Sequence, residues 1–216
     1  MSQTAPPQAA DQPAYATEQE RFWAGDFGND YIDRNCSEDM VAANARLFAA
    51  ILKSVPEVGS IAELGCNIGL NLQALHRLKP QLELRGYEIN AHAAAQASAA
   101  KVAEIVCTTI LDPLPAEKKF DLAFTKGVLI HINPEALGKV YSNLFELSRR
   151  YVLVCEYYNP TPVMVQYRGN ADRLYKRDFA GEMMDRHGLR LLDYGFVYHR
   201  DSRYAQDDLT WFLLEK

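Results

Sequence analysis

The sequence predicts an α/β fold. A mostly parallel sheet carries helices on both faces, with a helical lid ahead of it and an antiparallel hairpin at its C-terminal end. Three observations predict this. From Ser60 to Cys155, short apolar or β-branched runs alternate with helical stretches of three to four turns, the pattern of βαβ units and a parallel sheet. The first of these runs ends in a glycine-spaced turn that opens a helix, the place where open α/β sheets bind ligands. The last two runs, Leu189 to Tyr198 and Leu209 to Leu214, are joined only by His199 to Asp208. That link is too short for a crossover helix, so the two must pair antiparallel.

The elements follow in order. Residues 1–16 are Gln, Ala, Pro, Thr and Ser with a single charge and read as a disordered tail. The remainder, 17–216, reads as one domain, with 17–57 as an N-terminal helical lid. Thr17 with Glu20 fits a capping box and starts a short helix. Phe22, Trp23, Phe27 and Tyr31 follow within ten residues, broken by Gly25 and Gly28. That texture suits a segment folded over a pocket, the aromatics as walls and the glycines as turns. Ser37 caps a helix carrying Met40, Val41, Leu47, Phe48, Ile51 and Leu52, stopped by Pro56 and Gly59. Strands are expected at Ser60–Leu64, Leu82–Tyr87, Ala103–Thr108, Phe120–Thr125 and Tyr151–Cys155. Helices are expected at Leu70–Leu78, Ala91–Lys101, Pro134–Arg149 and Arg177–His187. Tyr157 to Lys176 holds prolines, a glycine and four tyrosines without a period and reads as a long irregular segment. Segments of that kind are commonly functional, and 157–187 is expected to form a substrate-side insertion.

Composition removes several classes. Net charge is −5 and no apolar run approaches ~18 residues. An acidic chain is a poor nucleic-acid binder, and no membrane span is expected. The cysteines, Cys36, Cys66, Cys107 and Cys155, form no C-x-x-C pair, so no metal site is expected. Free cysteines in apolar runs and the lack of a signal peptide indicate a reduced, cytoplasmic protein.

The chemistry begins at Glu63-Leu-Gly65-Cys66-Asn67-Ile-Gly69-Leu-Asn71. A nicotinamide fingerprint requires G-x-G-x-x-G. Here Asn67 takes the middle glycine's place, and no phosphate-loop lysine is present. The ligand should be nucleoside-like without a diphosphate. Glu88 ends the second strand, 23 residues after Gly65, where an acidic residue can accept both ribose hydroxyls.

Glu63-x-Gly65-x-x-x-Gly69, the strand-ending Glu88, and Phe120-Asp121-Leu-Ala-Phe followed by Gly127-Val-Leu-Ile-His131-Ile resemble the Rossmann-like class I S-adenosylmethionine-dependent methyltransferases. Further segments resemble the methylases associated with pseudaminic acid biosynthesis: Glu18 to Asn35, Glu156 to Pro162, Lys176 to Glu182 and Asp207 to Trp211. The resemblance implies the cofactor S-adenosyl-L-methionine, its product S-adenosyl-L-homocysteine, and no metal. It implies roles by position. Gly65, Cys66, Asn67 and Gly69 form the turn around the methionine and ribose, with Glu63 ordering it. Glu88 holds the ribose, and Ile89, Thr109 and Ile110 flank the adenine. Lys126 and Gly127 lie under the sulfonium, while Tyr31 and Arg34 touch the methionine end or the acceptor.

For the acceptor, His131 is the candidate base, a few residues past the fourth strand, with the ~6.5 reference pKa that suits proton removal near neutrality; the alternative is a ring packed between strand and helix that holds the turn before Pro134. Trp23, Phe27, Tyr157, Tyr158, Asn159, Tyr167, Arg168 and Arg177 are the candidate substrate contacts. Tyr157 to Arg203 holds eight Lys and Arg against six Asp and Glu, a locally basic stretch on an acidic protein. The expected substrate is a polar, acidic small molecule such as a sugar acid or nucleotide sugar. A protein or RNA methyltransferase and a non-catalytic S-adenosylmethionine-binding protein are the alternatives. The expected state is monomer or homodimer.

Overall fold

The computed structural model describes residues 15–29, 37–115, 117–167 and 170–216, with side chains for all of these except 166, 167 and 170–173. After the short helix α1 (Glu18–Ala24) and the longer α2 (Glu38–Ile51), strands and helices alternate: β1 (Ser60–Leu64), α3 (Leu70–Leu78), β2 (Glu83–Glu88), α4 (Ala91–Ala99), β3 (Glu104–Cys107) and β4 (Phe120–Lys126). Two 3₁₀ turns, Leu129–His131 and Pro134–Ala136, lead into α5 (Leu137–Leu147) and β5 (Ser148–Glu156). There follow β6 (Val163–Tyr167), β7 (Asn170–Lys176), α6 (Phe179–His187), β8 (Arg190–Val197) and β9 (Leu209–Glu215).

Seven strands form one sheet in the order β3-β2-β1-β4-β5-β9-β8. The first five are parallel, and β9 runs antiparallel between β5 and β8. Strand order reverses between β1 and β4, so their carboxyl ends diverge and leave a crevice there. Every residue of β1 is buried, as a central strand covered on both faces requires. One face packs Leu47, Phe48 and Ile51 of α2 and Leu72 and Leu75 of α3 on Ile61, Leu122 and Leu153. The other packs Val140 and Leu144 of α5 and Phe179 and Met183 of α6 on Ala62, Ala123 and Val152.

The caps read from sequence are present. The Glu20 N–H donates to Thr17 Oγ1 at 3.1 Å and the Thr17 N–H to Glu20 Oε2 at 3.2 Å. Ser37 Oγ accepts the Met40 N–H. Two expectations need correction. The expected irregular run Tyr157 to Lys176 contains an antiparallel hairpin, with Val163 opposite Lys176 and Tyr167 opposite Asn170. Its strand pattern is hidden because Val163, Met164 and Val165 are all exposed and the register shifts before Tyr167. β6 therefore does not alternate apolar with polar. The helix expected from Pro134 to Arg149 begins as a 3₁₀ turn and ends at Leu147, and β5 starts already at Ser148.

Candidate active site

The turn after β1 is built from left-handed residues. Gly65, Asn67 and Gly69 have φ of 79°, 48° and 77°. Gly65 is required twice over, since a Cβ there would also strike the Val128 side chain at 2.7 Å. Asn is among the few other residues that tolerate this region. The Gly65 and Cys66 N–H groups both donate to the Tyr87 carbonyl, at 2.8 and 3.0 Å, tying the turn to β2.

At the end of β2 the Glu88 carboxylate is nine-tenths buried. Its Oε2 accepts the Asn67 N–H at 2.7 Å and its Oε1 the Asn90 N–H at 2.8 Å. Burial pushes its pKa up against the pull of these two donors. Each oxygen keeps a lone pair and both belong to a residue that lines a cleft. Asn67 lines it too, and its Oδ1 is buried without a hydrogen-bond partner. Ile89, Thr109 and Ile110 continue the wall, and Lys126 and Gly127 close it at the end of β4.

His131 lies on the 3₁₀ turn just past β4 and lines the same cleft. Glu156, the last residue of β5, holds that turn in place. It is 2% exposed, and its Oε1 accepts the Val128 N–H at 3.0 Å and the Leu129 N–H at 3.1 Å. Burial pushes its pKa up to about 7 despite those donors. Strand β7 of the hairpin packs on the His131 turn.

Helix α1 forms the remaining wall. Thr17, Gln19, Glu20 and Trp23 line the cleft. The Trp23 ring lies 4.6 Å from the His131 ring, tilted by 52°. The Trp23 carbonyl accepts from Asn90 Nδ2 at 3.1 Å. Thr109 Oγ1 donates to Glu20 Oε1. Three contacts thus bind α1 to residues of the sheet's carboxyl edge.

Of the residues picked from sequence, Gly65, Asn67, Glu88, Ile89, Thr109, Ile110, Lys126, Gly127, His131 and Trp23 come together around the cleft. Glu63, Cys66 and Gly69 stand behind it and are not among its lining. Glu63 is fully buried, accepts from Asn71 Nδ2 at 2.6 Å, and is pushed up to about 8 by burial. Cys66 packs its sulfur on Gly86, where any Cβ would meet it at 2.6 Å. Gly69 opens α3 as its left-handed cap.

The expected acceptor contacts divide. Tyr157 is half-buried against the core with Lys176 4.9 Å from its ring centroid. Tyr158 is 42% exposed and turns to Phe212. Asn159 bonds Thr161 within its own turn. Arg177 pairs with Glu182 at 2.5 Å, whose other oxygen accepts from the Tyr141 hydroxyl. Phe27 stacks on Phe22 at 4.0 Å and supports Trp23 edge-on. Tyr31, Arg34 and Arg168 lie outside the described residues, as does the Tyr167 side chain.

Glu20, Asn90 and Glu156 were missed by sequence reasoning. A signal existed for Glu20, which shares a helix face with Trp23 three residues on. Glu156 opens one of the segments resembling the pseudaminic acid-associated methylases, but that resemblance assigns it no role, and a strand-ending Glu is usually solvated. Among the described residues, no group of three or more His, Cys, Asp or Glu could hold a metal ion, and no helix is long and apolar enough to cross a membrane.

Residues 62–149 match the family described as methyltransferase domain. No curated protein matches the chain. Among solved structures, it is similar to Burkholderia thailandensis 1,6-didemethyltoxoflavin-N1-methyltransferase with bound 1,6-didemethyltoxoflavin and S-adenosylhomocysteine. The TM-score is 0.68 at 17% identity, over 96% of this chain and 93% of that one. It is also similar to magnesium protoporphyrin IX methyltransferase from Synechocystis PCC 6803 with bound SAH, with TM-score 0.66 and 13% identity over 91% and 97%. A TehB-like SAM-dependent methyltransferase from Corynebacterium glutamicum gives 0.62 at 16% identity over 88% and 98%. At such identities the likeness is one of fold.

Proposed function

We propose that this chain is an S-adenosylmethionine-dependent methyltransferase and that it moves a methyl group to a small polar acid such as a sugar acid or nucleotide sugar. One observation carries the cofactor: the Glu88 carboxylate, anchored by the Asn67 and Asn90 N–H groups and lining the cleft. Its free lone pairs suit two ribose hydroxyls. The residues around it fit the rest of the group. The unpartnered buried Asn67 Oδ1 is an acceptor for an ammonium, and the left-handed Gly127 offers backbone with no side chain in the way. Gly65 and Asn67 would hold the methionine part, Ile89 and Ile110 the base, and Lys126 the end nearest β4.

Bound there, the sulfonium supplies an already activated methyl group. The chain's own work is then alignment and proton transfer. Holding acceptor and donor in line is worth several kcal/mol. His131 would take the proton from an acceptor hydroxyl, and Trp23, packed on its ring, would keep water from it. Lys126, which lines the cleft, would meet the acceptor's negative charge. The basic excess of 157–203 supports an acidic acceptor, as does the resemblance of four segments to the pseudaminic acid-associated methylases.

The test has two stages. Calorimetry should show S-adenosylhomocysteine binding and NAD not binding. Incubation with S-adenosylmethionine and a panel of sugar acids and nucleotide sugars should then add one methyl by mass. Tighter binding of NAD would end the cofactor reading. Methylation confined to neutral or peptide acceptors would end the acidic-substrate reading alone.

A further inference from the structure

The structure assigns to Glu20, on the helix that roofs the cleft, the task of selecting an amine-bearing purine base. This deepens the S-adenosylmethionine reading and rests on it. Among the described residues only two carboxylates line the cleft, Glu88 and Glu20. Glu88 stands at the end of β2 beside Asn67. Glu20 stands at the other end, against Thr109 just past β3, where the base would lie.

The chemistry of that end is one-sided. A carboxylate only accepts hydrogen bonds. Thr109 has one hydroxyl proton and gives it to Glu20 Oε1, while its oxygen takes the Leu111 N–H at 3.0 Å. Neither group then has a proton to offer a ligand. Both present lone pairs, which an exocyclic amine satisfies and a 6-oxo group opposes. Discrimination of this kind comes as much from the repulsive pairing as from the attractive one.

The carboxylate is also held before any ligand arrives. Its Oε2 accepts the Ala16 N–H at 2.8 Å and the Thr17 N–H at 3.2 Å. Glu20 is 7% exposed. Its orientation is therefore set by the helix cap, and little freedom remains to be lost on binding. The arrangement places base selection on α1 rather than on the sheet. It also puts the selecting residue one helical turn from Trp23, which packs on His131.

The experiment compares S-adenosylhomocysteine with its deaminated analogue, S-inosylhomocysteine, by calorimetry. The unmodified chain should bind the amino form about 10–100-fold more tightly, as expected for one hydrogen bond to a charged acceptor. Glu20→Gln should bring the ratio to one or below, because the Ala16 and Thr17 N–H groups hold the amide oxygen on the cap side and turn its NH2 toward the base, where it opposes an amine and suits a 6-oxo group. Gln also fits the third position of a capping box, so α1 should keep its cap, checked by Trp23 fluorescence. Glu20→Ala is the second variant and should weaken the amino form with little effect on the oxo form. A ratio in Glu20→Gln equal to that of the parent would overturn the assignment. Failure of the parent to bind either compound would instead overturn the cofactor reading, and this inference with it.

Discussion

Replacing Glu88 tests the cofactor site most directly. In Glu88→Ala the ribose loses a charged acceptor, worth about 1.5–3 kcal/mol, so the dissociation constant for S-adenosylhomocysteine should rise about 10–150-fold. The same change removes the acceptor of two backbone donors, the Asn67 N–H at 2.7 Å and the Asn90 N–H at 2.8 Å. Each donor left buried and unpaired costs about 1–3 kcal/mol. Relief of a buried carboxylate, whose pKa burial has raised, works in the opposite direction. The net loss of stability should be about 1–3 kcal/mol, and each kcal/mol lowers Tm by about 2–4 °C at this chain length. Glu88→Gln separates the two effects. Its single amide oxygen can serve only one of the two donors, yet it preserves the packing. Calorimetry on S-adenosylhomocysteine reads the affinity, and thermal unfolding reads the turn. A folded Glu88→Gln or Glu88→Ala protein with the parent's affinity would refute the reasoning.

The other predictions are shorter. His131→Ala should lower kcat by ~10²–10⁴-fold and leave S-adenosylhomocysteine affinity unchanged; a loss under tenfold would leave the ring a packing role only. S-Adenosylhomocysteine should slow amide exchange across residues 17–29, and protection confined to residues 65–69 would mean that α1 packs without closing. Burial lets Glu156 keep its proton to about pH 7 and Glu63 to about pH 8, against 4.5 for an ordinary Glu. From pH 4.5 to about 7 the native chain then binds more protons than the unfolded one. The stability contributed by these groups is greatest at the acid end of that window and falls as pH rises, by at most about 1.4 kcal/mol per pH unit per group. Glu156→Gln should flatten the fall between pH 5 and 7 in urea titrations, and an unchanged slope would remove Glu156 as its source.

The site was legible wherever its chemistry leaves a local mark. Gly65, Asn67 and Gly69 announce a left-handed turn by residue type, and Glu88 is marked by its place at a strand end one βα unit later. His131 was found because it follows β4 closely. Glu156 left no such mark. Its role depends on the Val128 and Leu129 N–H groups, which reach it only through the β4–β5 pairing. Glu20 was read for its capping box alone, and its second partner, Thr109, lies 89 residues away. The hairpin of β6 and β7 escaped because the apolar residues of β6 face solvent, so burial imposed no alternation on its sequence.

By itself the sequence determined the order and kind of most elements from Ser60 onward, the β6–β7 hairpin excepted, since period, glycine spacing and caps are properties of short stretches of chain. It also determined the turn after β1, whose backbone few residue types can adopt. Only the tertiary structure decided that β9 enters between β5 and β8, and that α1 docks across the sheet's carboxyl edge. It likewise decided that Tyr157 and Tyr158 part company, that Arg177 is taken by Glu182, and that Glu156 braces the His131 turn. These outcomes rest on contacts between residues far apart in the chain. Each is chosen by the burial and hydrogen bonding of the whole molecule, which no local pattern records.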